Sequence, residues 1–230
     1  MSSCPELKVD WCSYEAAKYA VEHWHYSRTM PAGKLVKIGA WEDGQYIGCV
    51  LFGLGATPQL PKSYGLAMTE CCELTRVALG EHASPVTQIV AIAIRMLRAF
   101  CPGIRLIVSF ADMRQGHLGA IYQAGNWIYT GAARLDTWII HGKRVHPRTV
   151  VARYGSRSQS TVRQADPSAE KVWGEKHRYL YPLDKAMRSQ IEPLRQPYPK
   201  RASEAKEIAH ADPIGETGGA SPTWTLESNV

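Results

Sequence analysis

Five residues of this chain join a reactive or charged group to a position where chemistry can use it. Asp112 comes just after the apolar run Ile104 to Phe110 (IRLIVSF), at the carboxyl end of an expected buried strand, where open α/β sheets place their ligands. A carboxylate there can take a proton from an amine, and it can equally cap the helix that follows. Tyr122, on an expected short helix from 116 to 124, can donate a proton to a leaving group or fix an acyl oxygen; packing as a half-buried phenol is the plainer role. Arg76 lies in the strand-like stretch CCELTRVAL: turned inward it requires an anion, either Asp112 or a cofactor phosphate, and turned outward it needs only water. His25 and Tyr26 follow the first helix and suit a metal, a base, or a structural corner.

The elements that must position these groups are legible from spacing. Ser13 to Trp24 carries Ala16, Ala17, Ala20 and Val21 at helical intervals, with Ser13 as cap. Leu35 to Trp41 and Tyr46 to Leu54 are β-rich, and the intervening Glu42-Asp43-Gly44-Gln45 marks a hairpin. A looping segment with Pro58, Pro61 and Gly65 leads to the strand 71 to 79. Ser84-Pro85 then opens an apolar helix to Phe100, and further strands are expected at 104 to 110, 127 to 129, and in a hairpin of 138 to 140 with Val145. Gly155 to Ala169 reads as a loop, while Lys171 to Leu183 recovers alternation. The order predicts an α/β fold with a mixed, mostly antiparallel central sheet flanked by helices, forming one domain over 1–190. Four prolines from Leu194 onward and GETGGASP predict a disordered tail over 191–230.

Composition narrows the class. With 230 residues, 45% hydrophobic and 21% charged, the chain can bury a core, and neither wholesale disorder nor a membrane span fits. The most apolar stretch, Pro85 to Phe100, is broken by Thr87, Gln88, Arg95 and Arg98, short of the about 20 apolar residues a bilayer needs. The N-terminus lacks a secretory pattern, and the six cysteines form no CxxC pair, so a cytoplasmic setting with small buried thiols is expected. The net charge is +6, and Arg95 to Arg153 holds nine Lys or Arg against two Asp. Arginine forks interleaved with Tyr122, Trp127, Tyr129, Trp138 and Tyr154 suit phosphate and base stacking; a solvated basic face is the alternative.

The stretch SFADMRQGHLGAIYQAGNWIYTG at 109 to 131 resembles the second half of the Gcn5-related acetyltransferase fold, abbreviated GNAT. Together with HWHYSRTMPAGKL at 23 to 35, ELTRVAL at 73 to 79 and the late GEKHRYLYPL, the chain from His23 to Tyr181 more specifically resembles the Mom family of bacteriophage proteins. That resemblance implies an enzyme converting DNA adenine to N6-carbamoylmethyladenine, an anti-restriction modification made in the cytoplasm of the infected host. It implies active-site roles for His25, Tyr26, Arg76, Asp112 and Tyr122, with iron held by His25 and Tyr26. It also implies a small-molecule donor, acetyl-CoA or another acyl or amine donor, and DNA as partner through adenine and through the basic Arg95 to Arg153 segment.

One departure follows from the residues themselves and a second from the product that the resemblance implies. Acetyltransferases of that superfamily grip coenzyme A pyrophosphate with a Gly-rich turn, whereas this chain has GEHASPVTQ, leaving Ser84, Arg76 and nearby amides as cofactor-binding candidates. Direct acyl transfer would leave a carbonyl on N6, not the methylene of a carbamoylmethyl group. The target base must also leave the duplex stack, with Tyr26, Tyr122, Trp127 and Trp138 as stacking candidates. Rival readings are a conventional N-acetyltransferase acting on a protein or small amine, and a non-catalytic basic DNA-binding module.

Overall fold

Asp43 (φ 48°) and Gly44 (φ 80°) both adopt the left-handed region, as the tight hairpin read from their sequence requires. They join β2 (Leu35–Glu42) to β3 (Gln45–Gly53). In this computed structural model, which describes residues 5–54, 59–145 and 147–200, the hairpin belongs to one eight-stranded sheet. The other strands are β1 (Leu7–Trp11), β4 (Cys71–Leu79), β5 (Leu106–Asp112), β6 (Ile128–Ile140), β7 (Lys143–Val145) and β8 (Glu170–Pro182). The order is β1-β2-β3-β4-β5-β8-β6-β7, and every neighbouring pair is antiparallel except β4 with β5. The expected mixed, mostly antiparallel sheet is therefore present.

Helices cover the sheet because each has an apolar stripe to bury. In α3 (Val86–Phe100), Ile89, Val90, Ala93, Ile94 and Leu97 face a core built on Ile38, Val50, Phe52, Leu74 and Ile107. α1 (Tyr14–Trp24), capped by Ser13 Oγ accepting from Ala16 N at 3.1 Å, packs Ala17, Ala20 and Val21 on Cys49, Leu51 and Ala78. The short α2 (Gln59–Lys62) precedes Tyr64 and Leu66, which pack with α7 (Lys185–Ile191) over Leu106, Val108 and Leu180. No helix among the described residues is long and apolar enough to cross a membrane.

Several elements differ from the sequence reading. β6 is one continuous strand where two pieces are expected, because the polar residues between them still pair along β8. Where 155 to 169 reads as a loop, α6 (Gln159–Ala165) forms; only Val162 of its residues is buried, so no periodic signal exists. It packs with α5 (Pro147–Tyr154) against Trp138 and Ile140. The expected domain end at residue 190 falls inside α7. Beyond it Ile191 is buried, Gln196 N donates to Tyr129 O at 2.8 Å, and the Tyr198 hydroxyl donates to Trp127 O at 2.7 Å. Residues 191 to 198 thus belong to the folded body, and the rest of the expected tail, 201–230, lies outside the described residues.

Candidate active site

Plain alternation along β4 would put Cys72, Leu74, Arg76 and Ala78 on one face. The structure breaks that run with a β-bulge: Phe52 faces Leu74, Leu51 faces Arg76, and Thr75 is the extra residue. Leu74 stays in the core under α3, while Arg76 and Ala78 turn to the face of Leu51, under α1. The parallel pairing with β5 also ends there, at Leu74 opposite Ser109, so β4 and β5 separate and leave a cleft. The Ser109 hydroxyl takes over the Leu74 carbonyl at 2.9 Å, and Thr75 Oγ1 donates to Leu51 O at 3.0 Å.

Arg76 enters this cleft from β4. Nη1 donates to Thr75 O at 2.7 Å and Nη2 to Thr29 O at 3.3 Å, while its buried Nε has no hydrogen-bond partner. Burial lowers its pKa, offset in part by Tyr26 and Glu73. A buried donor of a guanidinium left unsatisfied is costly, and an acceptor on a bound molecule would relieve it.

α1 delivers His25 and Tyr26 as it ends. His25 is its extended C-cap, and Ser27 N donates to His25 Nδ1 at 3.1 Å. A backbone amide can only donate, so Nδ1 accepts and the neutral ring carries its proton on Nε2. Burial first, then the charges of Arg76, His117 and Lys176, lower its pKa to about 4. Tyr26 tilts against His25 at 4.3 Å and meets His117 edge-on at 5.4 Å. Burial and then Asp112 raise the Tyr26 pKa, away from phenolate. Among the described residues no group of three or more His, Cys, Asp or Glu is placed to hold a metal, so nothing beyond the resemblance supports iron at His25 and Tyr26.

Asp112 ends β5. Its Oδ1 accepts from Arg114 N at 3.1 Å, capping a 3-10 turn, so the capping role is real; Oδ2 lies 3.7 Å from Lys176 Nζ, its register partner on β8. Asp112 is thus paired with Lys176, not with Arg76. Tyr122, on α4 (Ala120–Ala124), closes the floor of the cleft. Its hydroxyl lies 2.8 Å from Ser109 Oγ; since Ser109 has one proton and the Leu74 carbonyl only accepts, Tyr122 is the donor to Ser109. Burial pushes the Tyr122 pKa up to about 12, against the Ser109 hydrogen bond. Gly119 (φ 74°) sets this helix: a Cβ there would collide with the Tyr179 ring, whose hydroxyl donates to Leu118 O.

Hence His25, Tyr26, Arg76, Asp112 and Tyr122 converge on one cleft, each within electrostatic reach of at least one other, with Tyr26 linked to Arg76, Asp112 and Tyr122. Ser84 stands apart at the start of α3, its N–H donating to Glu42. Trp127 and Trp138 are fully buried and cannot stack on a base; Tyr26, half exposed, can. Lys176, Ser109 and His177 were missed as site residues. His177 bonds the Tyr129 hydroxyl at 2.9 Å through Nδ1, while its buried Nε2 lacks a partner. GEKHRYLYPL carried the signal for two of them, since a carboxylate at a strand end calls for a cation on the neighbouring strand.

The His25 environment sets a pH dependence. Its folded pKa lies below its unfolded value of about 6.5, so between about pH 4 and 6.5 the unfolded chain binds more protons and stability falls as pH falls. Replacing His25 with Gln should flatten that slope in urea unfolding at about pH 5 and about pH 7.5. An unchanged slope would assign it to other groups.

Two solved structures that match this chain are N-acetyltransferases. One, from Staphylococcus aureus Mu50, is 13% identical, covers 78% of this chain and 99% of its own, and has a TM-score of 0.46. Another, a polyamine N-acetyltransferase of Drosophila melanogaster, is 8% identical, covers 77% and 100%, and has a TM-score of 0.45. The model of the Mom protein family matches residues 6–200, and the chain belongs to that family. A relative from Escherichia phage Mu, described as methylcarbamoylase mom, is 25% identical over 203 residues, covering 85% of this chain and 84% of its own.

Proposed function

We propose that this chain is a DNA-modifying transferase that converts adenine to N6-carbamoylmethyladenine in phage DNA, shielding it from host restriction in the cytoplasm of the infected bacterium. The observation that carries this reading is the convergence of the five residues on one cleft in a chain of the Mom family. The name of the phage Mu relative supports the group transferred.

In this reading an extruded adenine enters at the cleft mouth and stacks on Tyr26. Asp112, its Oδ2 3.7 Å from Lys176 Nζ, accepts a proton from the exocyclic amine as N6 attacks the donor carbon. Arg76 presents its unused Nε–H to an oxygen of the donor, and neutral Tyr122, anchored through Ser109 to the Leu74 carbonyl, is a positioning residue that orients the donor from the floor of the cleft. His25, neutral at cellular pH, contributes an Nε2–H donor to the wall. Because the product carries a methylene on N6, the donor must deliver a methylene carbon and an amide nitrogen, which a plain acetyl thioester does not.

Charge supports DNA as partner. Residues 132 to 178 hold ten Lys or Arg against four Asp or Glu, which equals the chain's whole excess of +6. This segment comprises most of β6 and β8, extending past β5, with β7, α5 and α6. On it Trp173, 56% exposed, lies between Arg134 at 5.4 Å and Lys171 at 4.8 Å, a stacking face flanked by cations. The basic face is thus best drawn here, not from Arg95 onward, since Arg105 is tied to Asp184 at 2.8 Å.

The deciding experiment is mass spectrometry of nucleosides from plasmid DNA of cells expressing the chain. A deoxyadenosine heavier by a carbamoylmethyl group is expected; unmodified DNA, from cells in which the phage Mu relative does modify, would remove the reading.

A further inference from the structure

The turn from Gly80 to Pro85, between β4 and α3, presents backbone amides to an anion, and that anion is part of the chain. Ala83 N donates to Glu42 Oε2 at 2.9 Å and to Oε1 at 3.2 Å, and Ser84 N donates to Oε1 at 2.6 Å. Glu42 comes from the far end of β2, where the tight Asp43-Gly44 turn aims it across the sheet edge. The Ser84 hydroxyl first, then the Ala83 amide, hold the Glu42 carboxyl below its ordinary range. α3 has no acidic residue in its first turn and no side-chain cap, so Glu42 supplies the negative charge that the start of this 15-residue helix favours.

In the acetyltransferase fold that the sequence resembles, this turn is where coenzyme A pyrophosphate would be gripped. Here two amides that could do so are spent on a carboxylate, and that carboxylate repels a second anion. Glu81 adds another negative residue to the turn, and no lysine or arginine lies between Arg76 and Arg95 to offset it. The residues present do not fit the diphosphate.

We infer that Glu42 is the resident anion of this turn and that the donor of the proposed transferase is held without a diphosphate there. As a statement about the donor this rests on the transferase reading, but its test uses ligand binding alone, with no DNA present. Inorganic pyrophosphate is titrated by calorimetry into the full chain and into Glu42→Ala. Glu42→Gln, which keeps the side chain's size but sheds its charge, serves if the alanine chain does not fold. The unaltered chain should give a flat titration and the variant a saturable one, a gain of about tenfold or more in affinity. Saturable binding by the unaltered chain, or flat titrations throughout, overturns the inference. Nucleoside analysis is independent: absent modification alongside the expected pyrophosphate pattern removes the transferase reading and leaves the Glu42 assignment standing.

Discussion

Cells expressing the Asp112→Asn chain should lose modified deoxyadenosine by about a hundredfold or more, the range in which a positioned general base contributes. Asparagine keeps the shape of the side chain and the Oδ1 that accepts from Arg114 N, so the 3-10 turn after β5 is retained. What it removes is the basic oxygen near Lys176 and its ion pair, a partly exposed contact worth at most about 1 kcal/mol. Folding and DNA affinity should therefore be nearly unchanged while chemistry stops. Measured side by side, a modification level within about threefold of the unaltered chain would show that Asp112 is only a cap.

Arg76→Met should separate function from folding: activity lost, stability changed by no more than about 2 kcal/mol. The buried Nε has no partner, and a buried unsatisfied donor costs about 1–3 kcal/mol, so a thioether of similar length removes a penalty while giving up two hydrogen bonds to carbonyls of Thr75 and Thr29. Loss of a donor aimed at developing charge lowers turnover by about a hundredfold to a thousandfold. Thermal unfolding and nucleoside analysis of the same preparations read both effects. A methionine variant that modifies DNA normally, or that loses more than about 2 kcal/mol of stability, would make Arg76 a structural residue.

The central run β4-α3-β5 and the hairpin before it could be read from sequence because their signals are local: Asp43-Gly44 for the turn, Ser84-Pro85 for the helix start, IRLIVSF for the buried strand. The site residues were named mainly through the resemblance of short motifs, and the structure brings all five together. What stayed hidden depends on pairing at a distance. Lys176 opposite Asp112 follows from the register of β5 with β8, and the Glu42 contact with Ala83 and Ser84 spans forty-odd positions. Trp127 and Trp138 look like stacking faces in a list of aromatics, yet both are swallowed by packing. α6 hid for the reverse reason: a polar seven-residue helix with one apolar anchor leaves no periodicity to find.

The Thr75 bulge has an evolutionary corollary. The cleft between β4 and β5 is encoded by how many residues separate Leu74 from Arg76 and owes little to what the intervening residue is. Deleting Thr75 would keep every partner across β3, because Arg76 would still oppose Leu51 and Leu74 would still oppose Phe52, but it would straighten the ladder and let β4 continue along β5. Descendants of this chain can therefore exchange the residue at position 75 at the cost of one hydrogen bond to Leu51 O, but can hardly dispense with the position itself. A substitution scan would register the position weakly, through the lost hydroxyl, whereas an indel scan would register it strongly.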